Sequence, residues 1–174
     1  MNFNFFALIA LVFPILAICD VEISRTITSI ASDTSIKLLF DSGCKSSDAY
    51  GSNNCDFKWG SLISGSISGK LGHDLETGSK FSVDLKVDKL ISWKFTCSLC
   101  GANCTTTIPV VDQPFTFSTP PCPIEAFEKA EQQFNTTLPA TSPVPVKVTA
   151  TGPITFTDHK GKTVLSVKLD LTIQ

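Results

Sequence analysis

The sequence predicts an all-β fold, a two-sheet sandwich of seven to nine antiparallel strands, and three observations predict it. Apolar and polar residues alternate with period two through most of the second half of the chain. Clusters of Gly, Ser, Pro and Asn separate the alternating runs at intervals that suit short strands. Six cysteines follow a charge-free apolar leader, an even set of the kind that braces exported domains with disulfides.

The leader comes first in the chain. No charged side chain occurs from Asn2 to Cys19, and Phe5, Phe6, Leu8, Ile9, Leu11, Val12 and Phe13 begin an apolar core of signal-peptide length. Cleavage after Cys19 would place Ala17 and Cys19 at the small-residue positions. The alternative is a retained anchor, but Pro14 interrupts the run, which is shorter than the roughly 20 residues that span a bilayer. Residues 1–19 are therefore read as a removed signal peptide. Residues 20–174 then form one domain, in an extracellular or lysosomal setting.

Candidate strands in the first half are Val21–Ile27, Ile36–Phe40 and Phe57–Ile67. Phe81, Val83, Leu85 and Val87 then alternate with polar residues, as do Ile91, Trp93 and Phe95. A single strand over that whole stretch would exceed the usual strand length, so a turn is expected near Asp88–Leu90. Ile108–Phe117 is a further strand. Segment 124–134 reads differently: Ile124, Phe127, Ala130 and Phe134 recur at helical spacing behind Pro123, which predicts one short helix covering an end of the sandwich or acting as a lid. Val144, Val146, Val148 and Ala150 alternate next, followed by Ile154 and Phe156. A turn at Asp158-His159-Lys160-Gly161 leads into a last strand carrying Leu165, Val167, Leu169, Leu171 and Ile173.

The cysteines left after cleavage are Cys44, Cys55, Cys97, Cys100, Cys104 and Cys122. They predict three disulfides whose pairing the sequence alone leaves open; a Cys44–Cys55 bond would close a short surface loop. By count, Cys97, Cys100, Cys104 and Cys122 match a zinc site, but thiols oxidise in an exported chain, so no metal and no cofactor is expected. Sequons at Asn103 and Asn135 predict glycosylation. Net charge is −2, which gives no footprint for nucleic acid. Charged residues make up only 17% of the chain and mean hydropathy is +0.21, so the domain must hide much apolar surface or use it.

Catalytic constellations are thin. His73 stands beside Asp74 with Ser64, Ser66 and Ser68 nearby in sequence, yet there is no G-x-S-x-G elbow. His159 falls in the predicted turn. No carboxylate pair has glycosidase spacing, and no glycine-rich phosphate loop is present. No enzyme activity is expected. An apolar interior that splays at one end would bind a ligand through its walls alone and leave no catalytic signature.

Several motifs resemble the ML lipid-recognition family, whose members include a sterol-transfer protein and the lysosomal ganglioside activator. They are Cys122-Pro123-Ile124, the Leu138-Pro139 turn after Asn135-Thr136-Thr137, the strand Val146–Ala150, the hairpin Asp158-His159-Lys160-Gly161-Lys162 and the last strand Leu165–Ile173. Upstream, Gly78-Ser79-Lys80-Phe81 is similar to the family's Gly-x-x-Phe strand. The resemblance implies an immunoglobulin-like sandwich holding a sterol, phospholipid or glycolipid between its sheets without catalysis, in transient contact with membrane surfaces. It implies a pocket lined by Phe81, Val83, Leu85, Val146, Val148, Phe156, Val167, Leu169 and Leu171; periodicity adds Trp93, Phe95, Phe115 and Phe117. The family's staple between an N-terminal cysteine and the last strand is expected to be absent, because Ser166 stands at the second position and Cys44 must pair elsewhere. The rival expectation is a recognition protein of the same fold, acting with a receptor or as a non-catalytic activator of a lipid hydrolase.

Overall fold

The computed structural model describes residues 20–109, 113–142 and 146–174. The leader 1–19, Val144 and the side chains of Phe115 and Phe117 lie outside the described residues. Twelve strands and no helix occur among them: β1 (Asp20–Ile30), β2 (Ser35–Phe40), β3 (Cys44–Asp48), β4 (Gly51–Lys58), β5 (Leu62–Leu71), β6 (Lys80–Val87), β7 (Ile91–Ser98), β8 (Cys104–Ile108), β9 (Gln113–Phe117), β10 (Phe127–Thr137), β11 (Val148–Thr157) and β12 (Thr163–Ile173).

The count exceeds the expected nine because two predicted strands are broken by turns, and because β3 and β10 are strands where none was expected. Phe57–Ile67 divides at Trp59-Gly60, with Gly60 at positive φ. Ile108–Phe117 is the junction of the β8–β9 hairpin. The expected turn after Val87 is present, with Asp88 and Lys89 both at positive φ.

The helix expected at 124–134 is not formed; most of that segment is the edge strand β10, paired with β5. A bulge explains the misleading spacing. Phe127 lies opposite Leu71 and Ala130 opposite Gly69, so three residues of sequence cover two positions of strand. Ala130 to Phe134 is then an even step. The i, i+3, i+7 pattern thus belongs to one face of a bulged strand. Ile124 pairs in an isolated bridge with Leu75.

The hydrogen-bonded order is β10-β5-β2-β4-β1-β12-β11-β6-β7, with β3 on β4 and a separate β8–β9 hairpin. Pairing is antiparallel except at one contact, where Leu38 of β2 meets Gly51 of β4 in parallel. Strands β5 and β11 stand five places apart in this order, about 24 Å if the sheet were flat. Side chains from β5, β10 and β2 nevertheless share walls with side chains from β11 and β12. The sheet folds over on itself into two facing layers.

Three disulfides are formed: Cys44–Cys55, Cys97–Cys104 and Cys100–Cys122. Cys44 therefore pairs locally, and Ser166 of β12 lies opposite Ser29 of β1. The other two bonds tie the end of β7 to β8 and to the segment before β10.

The interior is divided among three apolar clusters. Val83, Leu85, Val87, Val148 and Ala150 form the first, with Trp93, Phe95, Leu169 and Leu171 packed on it. Cys55, Phe57 and Ile63 form the second, closed by Phe40 and Phe134, and Leu71, Leu75 and Val164 the third. At Gly152 of β11 a Cβ would lie 2.1 Å from the Asp84 carbonyl oxygen, so the β6–β11 approach requires glycine there. The most deeply buried apolar residues are Leu85, Val87 and Val164, together with the half-cystines Cys55, Cys100 and Cys104.

Candidate functional site

Three neighbouring apolar lobes that share wall residues together make up an open apolar chamber. The largest, about 600 Å³, is walled by Ile36 of β2, Ile67 and Leu71 of β5, Phe127 of β10, and Val164 and Leu165 of β12. A second lobe of about 240 Å³ lies between β1, β2, β11 and β12, with Ile27, Leu38, Ile154 and Val167 on its walls. A third, about 430 Å³, is bounded by Phe81, Val83, Leu99 and the 118–120 segment. Phe156 borders all three.

Strand β5 forms one wall of the largest lobe. The inward face of β5 reads Ile63, Gly65, Ile67, Gly69, Leu71, so every second inward position lacks a side chain. Across the ladder stand Phe134, Gln132, Ala130 and Phe127. A Cβ would lie 2.1 Å from the Leu39 carbonyl oxygen at Gly65 and 2.4 Å from the Ser35 carbonyl oxygen at Gly69, so these glycines let β2 approach β5 closely. Ile67 and Phe127 point inward yet remain 39% and 37% exposed. Both line the largest lobe.

Charged residues also border this chamber, Lys70 and Glu131 at the largest lobe and Arg25 at the second. Arg25 of β1 lines the second lobe beside Ile27 and Tyr50. The side chain of Asn53 holds it in register: Asn53 Oδ1 accepts the Arg25 N–H at 2.9 Å and Asn53 Nδ2 donates to the Arg25 carbonyl at 2.9 Å. These bonds extend the β1–β4 ladder, whose backbone register ends at Ile23 and Cys55. Arg25 Nη1 and Nη2 donate to Asp48 at 3.3 and 3.1 Å, and Nη2 also donates to the Ser52 carbonyl at 3.0 Å. Burial pushes the Asp48 carboxyl up, but the Tyr50 N–H and the Arg25 guanidinium outweigh it and hold the group below its ordinary range.

A polar pocket adjoins the largest lobe, lined by Asp33, His73, Asp74, Glu76, Asp158 and His159 among others. The two share the β1–β2 turn, the stretch after β5 and the start of β10, with neighbouring residues facing one or the other. His73 Nδ1 lies 2.9 Å from Asp33 Oδ2, not at Asp74, whose carboxylate accepts the Ala126 N–H. Ser64 donates to Asp41, away from both histidines. The hydrogen bond with His73 holds the Asp33 carboxyl low. Burial pushes Asp158 up, while the backbone N–H groups of Lys162 and Lys160 outweigh it and leave the carboxyl below its usual range. Among the described residues no three His, Cys, Asp or Glu side chains are arranged to hold a metal ion. No helix there is long and apolar enough to cross a membrane.

Of the residues predicted to line a pocket, Phe81, Val83, Phe156 and Val167 stand on the chamber walls. Leu85, Trp93, Phe95, Val148 and Leu169 belong to the packed first cluster, and Leu171 packs on it while also lining a separate cleft with Ile23 and Ala150. Val146 lies outside β11, is 62% exposed and lines none of the three lobes: the alternation that placed it inward stops where β11 begins, at Val148. Phe115 and Phe117 sit on β9, with side chains outside the described residues. Ile36, Ile67, Leu71, Leu75, Leu99, Ile124 and Phe127 were missed as wall residues. Their one signal was the isoleucine–glycine alternation of β5. Asn103 and Asn135 are both exposed, the latter on edge strand β10.

No family model and no curated protein matches this chain. Among solved structures, it is similar to one titled "Crystal structure of chicken MD-1 complexed with lipid IVa", at 15% identity over 88% of this chain and 90% of that one, with a TM-score of 0.38. A likeness that distant carries no functional argument.

Proposed function

We propose that this protein is a carrier of lipid, holding a sterol or the acyl portion of a phospholipid or glycolipid in the chamber between its layers and performing no reaction on it. One observation carries the reading: inward apolar residues, Ile67 and Phe127, are more than a third exposed on the walls of a cavity of about 600 Å³. That volume lies within the range of roughly 300–1,000 Å³ that small-molecule sites occupy. Each methylene moved from water into such walls contributes about 0.8 kcal/mol before ordering and association costs.

The motifs that resemble the ML family point the same way. The apolar leader and the paired cysteines support an exported carrier, with Asn103 and Asn135 as glycan sites. The test is displacement of an environment-sensitive apolar dye from the purified protein by cholesterol, phosphatidylcholine or a ganglioside. At least one of these displaces the dye from the wild type, and Ile67→Glu weakens that displacement at least tenfold. Dye binding that no lipid reverses would overturn the proposal.

A further inference from the structure

The most exposed apolar side chains are gathered at one end of the domain. Among the described residues, Leu90 is 86% exposed, Leu62 63%, Val146 62% and Ile91 45%, and no other large apolar side chain exceeds 39%. The strand register places them together. Lys58 at the end of β4 lies opposite Asp20 at the start of β1, Val21 opposite Ile173 at the end of β12, and Ile173 opposite Val148 at the start of β11. Ala150 then lies opposite Val87 at the end of β6, and Val87 opposite Ile91 at the start of β7. Leu62, at the start of β5, follows the β4–β5 turn. Leu71, Phe127 and Val164, walls of the largest lobe, stand at or near the other ends of their strands.

Hydrogen bonds fix the turns at this end. The Asp88 N–H donates to the Thr149 carbonyl at 2.8 Å, and the Asp88 carboxylate accepts the Thr149 N–H at 2.7 Å. This fastens the β6–β7 turn to β11 just beyond Val146 and Lys147. Trp59 Nε1 donates to the Gln174 carbonyl at 3.0 Å and ties the β4–β5 turn to the end of β12.

Lysines stand among the apolar groups. Lys89 adjoins Leu90, Lys147 adjoins Val146, and Lys58 precedes the β4–β5 turn. All three are exposed, and among the described residues none is in an ion pair. The acidic residues at these strand ends are Asp20 and Asp88, and Asp88 is engaged by Thr149. Glu22 and Asp170 share a cleft with Lys89 without pairing to it. A chain of net charge −2 thus sets unpaired cations beside its most exposed apolar side chains. That combination fits a membrane surface with anionic headgroups, where apolar groups enter the acyl boundary and lysines meet the negative charge. It fits a second copy poorly, since a two-fold contact would set Lys89 and Lys147 against their own images.

We propose that this end of the domain is a docking surface for an anionic membrane, with Leu90, Ile91 and Val146 entering the lipid and Lys89 and Lys147 on the headgroups. The largest lobe then lies at the end away from the docked membrane. The docking surface goes beyond the carrier reading and does not depend on it.

The experiment is co-sedimentation of the full chain, purified as secreted, with vesicles of phosphatidylcholine alone or mixed with phosphatidylserine. The wild type binds the mixed vesicles about tenfold more tightly, and the preference shrinks in high salt. Lys89→Gln with Lys147→Gln removes most of that preference. Leu90→Ser with Val146→Ser weakens binding to the mixed vesicles about tenfold. Leu90→Trp reports the contact directly, its emission moving to the blue when mixed vesicles are added. Ile67→Glu, on the chamber wall, leaves vesicle binding unchanged. Equal binding of the wild type to both kinds of vesicle overturns the proposal, as does a Leu90→Trp emission that vesicles do not move. Loss of vesicle binding in folded Ile67→Glu overturns it too, by assigning the contact to the chamber. A dimer that Leu90→Ser dissolves, with no vesicle binding, gives the surface to a second copy and overturns it as well. Failure of dye displacement by lipids would remove the carrier reading and leave these vesicle results expected as before.

Discussion

Phe156 of β11 lies over Phe81 of β6, ring centroids 6.1 Å apart and planes 28° from parallel, at the point where the three lobes of the chamber meet. The pair marks the border between the packed end of the sandwich and the open end. Toward Val87 and Val148 the facing residues close up as a core. Toward Phe127 and Leu165 they part.

Phe156 is the first lever on this arrangement. Phe156→Ala merges the lobes and removes the stacked partner of Phe81, so stability falls by about 3 kcal/mol in urea titration. Phe156→Trp fills the junction and costs about 1 kcal/mol. It lowers lipid uptake more than the alanine variant does. Equal uptake by the two would place the ligand elsewhere.

Charge insertion separates wall from core. Ile67 is 39% exposed on the chamber wall, so Ile67→Glu shifts stability by only about 1 kcal/mol while reducing lipid binding. Leu169 packs on the first cluster, so Leu169→Asp unfolds the domain, or costs about 3 kcal/mol or more. Thermal melts of the two variants side by side check this. Similar melting temperatures would contradict the division between core and chamber.

The Cys44–Cys55 bond joins residues 11 apart on β3 and β4. On the chain-entropy model it stabilises the fold by about 3 kcal/mol. Neither cysteine borders the three apolar lobes. A Cys44→Ser, Cys55→Ser double variant therefore loses that stability in denaturant titration and keeps lipid binding under conditions where it is folded.

Acid sensitivity follows from three carboxyls. Asp33, Asp48 and Asp158 are each held below their ordinary value of 3.8 in the fold. The unfolded chain then binds more protons than the folded one as pH falls. Their contribution is complete above about pH 5 and disappears as pH drops below 3.8 through the folded values. The urea midpoint is expected to be level from neutral pH to about pH 5 and to decline below it. Asp158→Asn, which keeps an acceptor for the Lys160 and Lys162 N–H groups, shows a shallower decline. An equally steep one would remove Asp158 from the explanation.

Much of the fold was legible because period-two alternation is a one-dimensional signal. β6, β7, β11 and β12 stood out through Phe81–Val87, Ile91–Phe95, Ile154–Phe156 and Leu165–Ile173, and so did the turn at Asp88. β10 was not legible: a bulge between Phe127 and Ala130 turned an odd sequence step into an even structural one and imitated a helix. The chamber was legible only in part. Phe81, Val83, Phe156 and Val167 could be placed on an inward face, but which inward residues pack and which face space depends on the opposite layer. Gly65 and Gly69, which let the β2 backbone approach β5, carry no hydrophobic signal either. Arg25 escaped notice for a related reason. A polar residue inside an apolar strand reads as a break in the pattern until its partners, Asp48 and Asn53, are brought beside it.

The most direct measurement is mass spectrometry of an organic extract from folded protein, purified without detergent from a eukaryotic secretory host. The account predicts lipid in near-equal molar amount to protein, displaced in Phe156→Trp. An extract free of lipid, and still free of it after incubation with vesicles containing sterol, phospholipid, glycolipid and fatty acid, would contradict it.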